Sequence, residues 1–130
     1  MLRFTSLFAA LLAVSSLSAC DEDAGPAIDE AAAQRGQDLA EDCKACHALT
    51  SKSNMIGPHL VDVVGRDIAS VRGYDYSEAL LARQGDWTTD ALAVFILNPT
   101  ENVPGTKMAY GGISPDDAKD IVEFLRSLAK

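Results

Sequence analysis

The segment Cys43-Lys44-Ala45-Cys46-His47 constrains this chain of 130 residues more than any other stretch. Its two thiols stand two residues apart, and an imidazole directly follows the second one. This spacing is compatible with a redox-active dithiol, with half of a zinc site, or with covalent attachment of haem through both cysteines. The remaining residues have to favour one of these three hypotheses.

The zinc and dithiol hypotheses both lack support elsewhere in the sequence. A structural zinc site needs four protein ligands, and outside the motif only His59 and Cys20 carry the usual nitrogen or sulfur donors. A thioredoxin-like dithiol occurs at a strand-to-helix turn, whereas here the motif follows a predicted helix and no stretch alternates as a strand does. Haem attachment, for which C-x-x-C-H is a signature, is therefore the favoured hypothesis.

Haem attachment places His47 to bind the iron on one face, so the other face either has its own ligand or stays open. Met108 lies in the Pro- and Gly-rich stretch "NVPGTKMAYGG", which is unsuited to helix. A thioether opposite histidine raises the reduction potential of haem. Met55 is the rival ligand, but its loop begins only a few residues after His47, so we expect Met55 to pack against haem or core. We expect His59 to be structural or exposed.

Composition limits the possible classes of protein. The net charge is -8, and this argues against binding to nucleic acid, which needs a basic face. The acidic excess is concentrated at residues 21–42, which hold eight acidic side chains and one basic one, whereas residues 43–130 hold eleven and nine. The length suits one domain. Because aromatic residues make up only 6% of the chain, we expect a cofactor to complete part of the core.

The N-terminus has the layout of an export signal, with Arg3 followed by a short apolar run. Its last residues, Leu17-Ser18-Ala19-Cys20, resemble the bacterial lipoprotein signal, in which the cysteine is lipidated. An uncleaved anchor helix and ordinary cleavage near Ala19 or Cys20 are the alternatives. We predict a signal peptide over 1–19, a lipidated Cys20 with an acidic tether over 20–28, and one domain over 29–130. The domain would then lie on the periplasmic side of the inner membrane.

Helix signals dominate the domain, so the predicted fold class is all-α. The last helix is the clearest: Ser114 is a capping residue, Pro115 suits the first helical position, and Asp117 is placed to form a capping box. The segments 47–59 and 99–113 read as long irregular loops, which in a compact chain usually have a function. Four further helices are predicted, at about 29–42, 60–64, 77–83 and from 88 or 89 to 97.

Several short motifs together resemble those of a class I c-type cytochrome, of the mitochondrial cytochrome c and bacterial cytochrome c2 kind. The similarity extends from about Gln34 to Leu128. The resemblance implies a cytochrome c fold, with three to five helices around one covalent haem c and with the first and last helices crossing. The motifs that carry it are "CKACH", "GPHL", "VGR", "YDYSEAL", the single Trp87, "LNPTENVPGTKM" and "DIVEFLRSL".

The resemblance also implies roles for individual residues. Cys43 and Cys46 would form the thioethers, His47 would be the proximal iron ligand and Met108 the distal one. The Pro58 carbonyl would accept the His47 ring N–H and make the imidazole a better ligand.

Further positions match the surroundings of haem in this family. Tyr76 and Trp87 match donors to a haem propionate, Arg66 matches a buried arginine that balances propionate charge, and Thr106 matches a hydroxyl of the same pocket. The remaining matches concern the helix crossing and are Gly36 and Phe124.

The chain departs from the family pattern at three places. Phe95 replaces a tyrosine whose hydroxyl often reaches the sulfur of the distal methionine. Leu39 and Ala40 replace the usual aromatic residue of the first helix, so we expect a looser crossing. The lysine-rich docking face of the soluble members is thin here, and the lysines that remain near the expected haem edge are Lys44, Lys52 and Lys107.

The function that the resemblance implies is one-electron transfer through an exposed haem edge, without catalysis. Its expected partners are redox complexes such as cytochrome bc1 and a terminal oxidase or reaction centre. The alternative is a haem peroxidase or gas-binding sensor, which requires a distal iron position that is open or easily vacated. The loss of a tyrosine at Phe95 keeps this alternative in place.

Overall fold

The computed structural model describes residues 26–129, and within that range the chain is helical without a strand. The predicted all-α fold class is therefore confirmed. The predictions for the signal peptide, for Cys20 and for most of the tether concern residues outside the described range. Three helices are long, α1 (Glu30–Leu39), α4 (Thr89–Leu97) and α6 (Pro115–Ser127), and three have a single turn, α2 (Glu41–Lys44), α3 (Glu78–Leu81) and α5 (Pro99–Asn102).

The helices begin where the sequence places capping side chains. Asp29 accepts a hydrogen bond from the Ala32 N–H at the start of α1. At the start of α6, the Ser114 hydroxyl accepts from the Asp117 N–H at 3.2 Å and donates to the Asp117 carboxylate at 2.7 Å. Each such bond satisfies a backbone donor that the first helical turn leaves unpaired. Ser77 and Thr88 cap α3 and α4 in the same way.

Three predictions about helix bounds were wrong. The first helix does not continue to residue 42: α1 ends at Leu39 and a separate turn, α2, follows. Residues 60–64 form turns, because Asp62 has φ 52° and this left-handed backbone cannot continue a right-handed helix. The segment 99–113, predicted to be an irregular loop, begins with a helical turn, α5, which Asn98 caps. These single turns bring the number of helices within residues 26–129 to six.

The crossing of α1 and α6 brings two backbones into contact. A Cβ on Gly36 would lie 1.9 Å from the Asp120 carbonyl oxygen, so only glycine permits this approach. Beside it, the Arg35 guanidinium forms two hydrogen bonds with the Asp120 carboxylate, at 2.6 and 2.8 Å. The predicted crossing of the first and last helices is therefore present. Phe124, which was expected near it, is buried on α6.

Helix α6 also packs on α4, and together they form one wall of the core. The spacing of apolar residues on each helix produces a continuous buried face. On α4 the buried residues are Leu92, Phe95 and Ile96, and on α6 they are Ala118, Ile121, Val122, Phe124 and Leu125. No helix within residues 26–129 has both the length and the apolar character needed to cross a membrane.

Candidate functional site

All ten predicted site residues within residues 26–129 line one cavity of about 250 Å³. Its walls are mainly apolar and come from α4, α6, the segment around α2 and the two long loops. The fold brings these residues together although the first, Cys43, and the last, Met108, are more than sixty positions apart in the sequence. These residues are Cys43, Cys46, His47, Pro58, Arg66, Tyr76, Trp87, Phe95, Thr106 and Met108.

The motif itself lies on the last turn of α2 and the turn that follows. The His47 N–H donates to the Cys43 carbonyl at 2.9 Å, which keeps the imidazole on the same side of the chain as the cavity. Cys43 and Cys46 are half-buried and are not joined by a disulfide. Burial raises the pKa of the Cys43 thiol, and the nearby Asp42 carboxylate adds to the effect. A redox-active dithiol has a lowered thiol pKa, so this environment disfavours the dithiol hypothesis.

The imidazole of His47 is held in one orientation. Its Nδ1 lies 2.6 Å from the Pro58 carbonyl oxygen, the contact that the resemblance implies. Because a carbonyl only accepts, Nδ1 carries the proton and Nε2 keeps a free lone pair. Burial lowers the pKa of His47, with the Pro58 contact acting in the opposite direction. The result is a neutral ring whose Nε2 can bind a metal.

Gly57 makes this orientation possible. A Cβ at residue 57 would lie 2.2 Å from Cε1 of His47, so any larger residue would displace the ring. The loop is fixed to the motif by backbone hydrogen bonds, from the Gly57 N–H to the Cys46 carbonyl and from the Leu60 N–H to the Ala48 carbonyl, each 2.8 Å. The loop 47–59 therefore positions both Pro58 and the face of His47.

A second loop brings Met108 to the cavity. The Met108 N–H donates to the Thr106 hydroxyl oxygen at 3.3 Å. At its far end the loop approaches α4 closely, because Gly112 has φ 86° and its missing Cβ would lie 2.1 Å from the Leu97 carbonyl oxygen. The side chain of Met108 is partly buried against the core. A thioether and an imidazole, both suited to iron, thus line the same space.

One end of the cavity is polar. The Arg66 guanidinium donates to the Val61 carbonyl at 2.9 Å and to the His59 carbonyl at 3.1 Å, but its Nε is buried without a partner. Burial lowers the pKa of Arg66, yet arginine remains charged at neutral pH. A half-buried cation with an unpaired donor suits an anionic group at this end.

Two aromatic residues complete the polar end. The Tyr76 hydroxyl accepts from the Val71 N–H at 3.3 Å and therefore still has its own proton to donate. Burial raises the pKa of Tyr76, so the hydroxyl stays protonated. Trp87 is buried and its ring centroid lies 5.0 Å from that of Phe95, at 45°. Phe95 thus contributes an apolar surface and no hydroxyl.

The prediction for Met55 was wrong, whereas nothing contradicts the prediction that His59 is structural or exposed. Met55 is 48% exposed and lies outside the residues that line the cavity, so the prediction that it packs against haem or core was wrong. His59 lines a different, second cavity, and its Nδ1 is buried without a partner. Among residues 26–129, no three His, Cys, Asp or Glu residues cluster closely enough to hold a metal ion.

Ten of the 25 residues that line the cavity had been assigned to the site from the sequence, and four of those missed lie next to residues that had been assigned or at the cavity's exposed edge. Lys107 had been predicted only near the exposed edge, and its ammonium is paired with the Asp75 carboxylate at 2.6 Å. Tyr110 follows Met108 by two positions, a spacing that could have indicated it. Asp42 and Ile56, which is 77% exposed, lie beside the motif and beside Gly57.

Comparisons with known proteins agree with this arrangement. The family model "Cytochrome c" matches residues 33–129. A "Cytochrome c homolog" of Rickettsia bellii is 46% identical over 97 residues, which cover 73% of this chain and 56% of that protein. The "Cytochrome c-type cyt cy" of Rhodobacter capsulatus is 39% identical over 89 residues, which cover 68% of this chain and 44% of that protein. This chain thus spans about half the length of these two relatives.

A solved structure shows the same fold. Cytochrome cH from Methylobacterium extorquens superposes with a TM-score of 0.68 at 35% identity, over 73% of this chain and 97% of the other. The chain belongs to the cytochrome c family and is a class I c-type cytochrome. Its fold is the predicted cytochrome c fold, and its cofactor is one covalently bound haem c.

The residues present fit this cofactor on three observations. Two half-buried thiols lie beside an imidazole whose Nε2 has a free lone pair. A thioether from a distant loop lines the same, mainly apolar space. The polar end offers the unpaired Nε of Arg66, which suits the carboxylates that haem carries.

Proposed function

We propose that this chain is a one-electron carrier in which Cys43 and Cys46 hold haem c by thioethers and His47 and Met108 bind its iron. One observation supports this proposal most strongly. The 2.6 Å contact between His47 Nδ1 and the Pro58 carbonyl fixes the ring as a neutral ligand, with Nε2 free, inside the cavity that Met108 also lines. Such a contact orients a ligating histidine and raises its basicity.

Bound haem supplies an iron centre that gains and loses one electron. The protein supplies rigid positions for both ligands: a loop held by Gly57 on one side, and a loop held by Gly112 on the other. If His47 and Met108 both bind the iron, they would leave no position for a substrate, so the proposed role is transfer rather than catalysis.

The polar end of the cavity has a proposed role in balancing the negative charge of the haem propionates. Arg66, Tyr76 and Trp87 supply donors for propionate groups, and the side chain of Thr106 lies in the same cavity. Phe95 packs against Trp87 with its ring tilted, and it offers no hydroxyl to Met108. We therefore propose that the Met108 sulfur is held by packing and by its loop, without the tyrosine hydrogen bond of many relatives.

The proposed location is the periplasmic side of the inner membrane, with a lipid on Cys20 and the tether over 20–28. This part of the proposal rests on the lipoprotein-like end of the signal and the acidic composition that follows. A tether would raise the local concentration of membrane-bound redox partners, for which we propose a cytochrome bc1 complex as donor and a terminal oxidase or reaction centre as acceptor. A Cys20→Ala protein that still fractionates fully with membranes would contradict the anchor.

The experiment that tests the proposed function is a redox titration combined with exposure of the reduced protein to carbon monoxide. We expect one reversible one-electron transition and an unchanged spectrum with carbon monoxide, because Met108 occupies the position where the gas would bind. Rapid carbon monoxide binding to the native protein, together with peroxide turnover, would favour the peroxidase or sensor alternative. Met108→Ala serves as the positive control, since it opens that position.

A further inference from the structure

The cationic side chains of this acidic chain are not evenly distributed. Residues 26–129 contain nine Lys and Arg side chains, and five of these form ion pairs with acidic residues. Four cations of the described range form none: Lys52, Arg66, Arg72 and Arg83. Three of these four, all but Arg83, line one cavity of about 370 Å³.

Two chain segments form this cavity, residues 52–62 and residues 66–72, and a side chain links them. The Asn54 amide donates to the Arg72 carbonyl at 3.1 Å, and its oxygen accepts from the His59 N–H at 3.3 Å. Arg66 is held by its two carbonyl contacts. The backbone around the cations is therefore fixed before any ligand arrives, which lowers the entropy that binding would cost.

The charge in the cavity opposes that of the chain as a whole. Asp62 is the single carboxylate among the lining residues, against three cations. Burial lowers the pKa of His59, and the positive charges of Arg66 and Lys52 lower it further, so the imidazole is neutral at neutral pH. Lys52 and Arg72 against Asp62 leave about one positive unit, to which Arg66 adds whatever part of its charge the haem carboxylates do not neutralise, in a chain whose net charge is -8.

We propose that this cavity binds a phosphate group, either as free phosphate or as part of a lipid headgroup. Planar guanidinium groups match the oxygens of phosphate with paired hydrogen bonds, and an ammonium group adds a compact charge. The negative charge of phosphate balances this local positive charge. The acidic remainder of the surface repels anions from other positions, so binding is confined to this cleft.

Binding here reaches the haem cavity through Arg66, which lines both spaces. An anion beside Arg66 offsets part of the positive charge that this residue directs at the haem. This consequence rests on the proposed function: saturating phosphate should favour the ferric state and lower the midpoint potential. By linkage, the ferric protein should bind phosphate more tightly than the ferrous protein.

Titration calorimetry with inorganic phosphate on the haem-loaded full chain, at low ionic strength, tests the site. Lys52→Ala and Arg72→Ala should each weaken binding by about fivefold or more, as expected for lost charge-assisted hydrogen bonds. Arg83→Ala removes the same charge outside the cavity and should weaken binding by less than about twofold. Both variant arginines are exposed. The contact of Arg72 uses its backbone carbonyl, and the side chain of Arg83 makes one exposed hydrogen bond, to the Asn102 amide oxygen at 3.2 Å, so these substitutions preserve the fold.

Vesicles distinguish the two sources of phosphate. Cosedimentation with phosphatidylglycerol vesicles that depends on Arg72, without calorimetric binding of inorganic phosphate, would assign the site to lipid. Binding of inorganic phosphate with the same dependence assigns it to the free anion. Equal losses in Arg72→Ala and Arg83→Ala, or no binding of either probe, would overturn the proposal. These readouts need no electron transfer, so they stand or fall separately from the proposed function.

Discussion

The α1–α6 crossing and the haem cavity lie side by side in this protein, but they are completed in different ways. At the crossing, the chain's own atoms fill the space, and Gly36 brings one backbone against the Asp120 carbonyl of the other. At the cavity, two irregular loops present apolar side chains to a space of about 250 Å³ that the protein does not fill. The comparison separates what the polypeptide stabilises by itself from what the cofactor has to stabilise.

The two regions also differ in which backbone groups are satisfied locally. The helices of the crossing pair their N–H groups within the helix and at caps such as Ser114. The loops around the cavity depend on a few long-range contacts, such as that of Gly57 with Cys46. We therefore expect the crossing to keep part of its structure without haem and the loops to lose theirs.

The largest expected effect follows from removing the attachment site. In a Cys43→Ala/Cys46→Ala protein, the cavity loses the group that its walls enclose, so the loops should unfold while α1 and α6 keep partial protection. Hydrogen exchange of the variant against the haem-loaded parent measures this. Equal protection of both regions, whether high or low, would contradict the division drawn above.

The next effect concerns the crossing. Gly36→Ala should lower the free energy of unfolding by about 2–4 kcal/mol, because overpacking against a backbone carbonyl exceeds the gain in helix propensity. The matched control is Gly111→Ala, where a new Cβ meets nothing within 4 Å. Urea unfolding of the haem-loaded proteins compares them, and similar midpoints for the two variants would show that the crossing tolerates separation.

A smaller effect should come from the cap of α6. Ser114→Ala removes the acceptor of the Asp117 N–H and should cost about 1 kcal/mol. Ser51, which is exposed in a loop, provides the control substitution Ser51→Ala. If both variants unfold at the parent's urea concentration, the cap adds nothing to the crossing.

The smallest expected effect on stability concerns Asp67 and Asp86, which form an isolated antiparallel bridge. They are the sequence neighbours of Arg66 and Trp87, which line the cavity. A side-chain hydrogen bond with Asp67 raises the pKa of Asp86. A raised carboxyl pKa stabilises the fold at acidic pH, and this contribution is lost as the pH rises through the folded-state value. Asp86→Asn should therefore be slightly more stable than the parent at neutral pH and lose that advantage in acid.

A double-mutant cycle with Asp67→Asn isolates this pair. Urea unfolding of the four proteins across the acidic range should give a favourable coupling where one carboxyl is protonated and donates to the other, and this coupling should be lost as the pH rises and both carboxylates ionise. A coupling that does not change with pH would assign the effect to packing instead.

The sequence predicted the attachment motif and the helix starts better than it predicted the turns at residues 60–64. The motif and the caps Asp29 and Ser114 were identifiable because a covalent attachment site and helix starts leave local signals, and the family resemblance added most of the ten predicted residues that line the cavity. The turns at 60–64 were not, because their apolar spacing resembles a helix, whereas the backbone conformation of Asp62 depends on contacts made later. Those contacts run from Arg66 back to Val61 and His59.

Long-range charge pairing was equally invisible in the sequence. Two of the three lysines expected at the haem edge are neutralised, Lys44 by Glu41 and Lys107 by Asp75. The third, Lys52, lies twenty positions from Arg72, yet both line the second cavity. The pair of Glu41 and Lys44 has helical i,i+3 spacing. Only the folded chain brings Lys107 to Asp75 and Lys52 to the cavity of Arg72, since neither of these spacings corresponds to a helix or strand period.

The central claim is that His47 and Met108 both bind the haem iron. The ferric absorption spectrum of three proteins tests it most directly. The parent should show the weak long-wavelength band of methionine-to-ferric-haem ligation. Met108→Ala should lose the band, and Met55→Ala, which removes an exposed methionine outside the cavity, should keep it. A parent without the band, or a band that vanishes with Met55 and persists without Met108, would contradict the account.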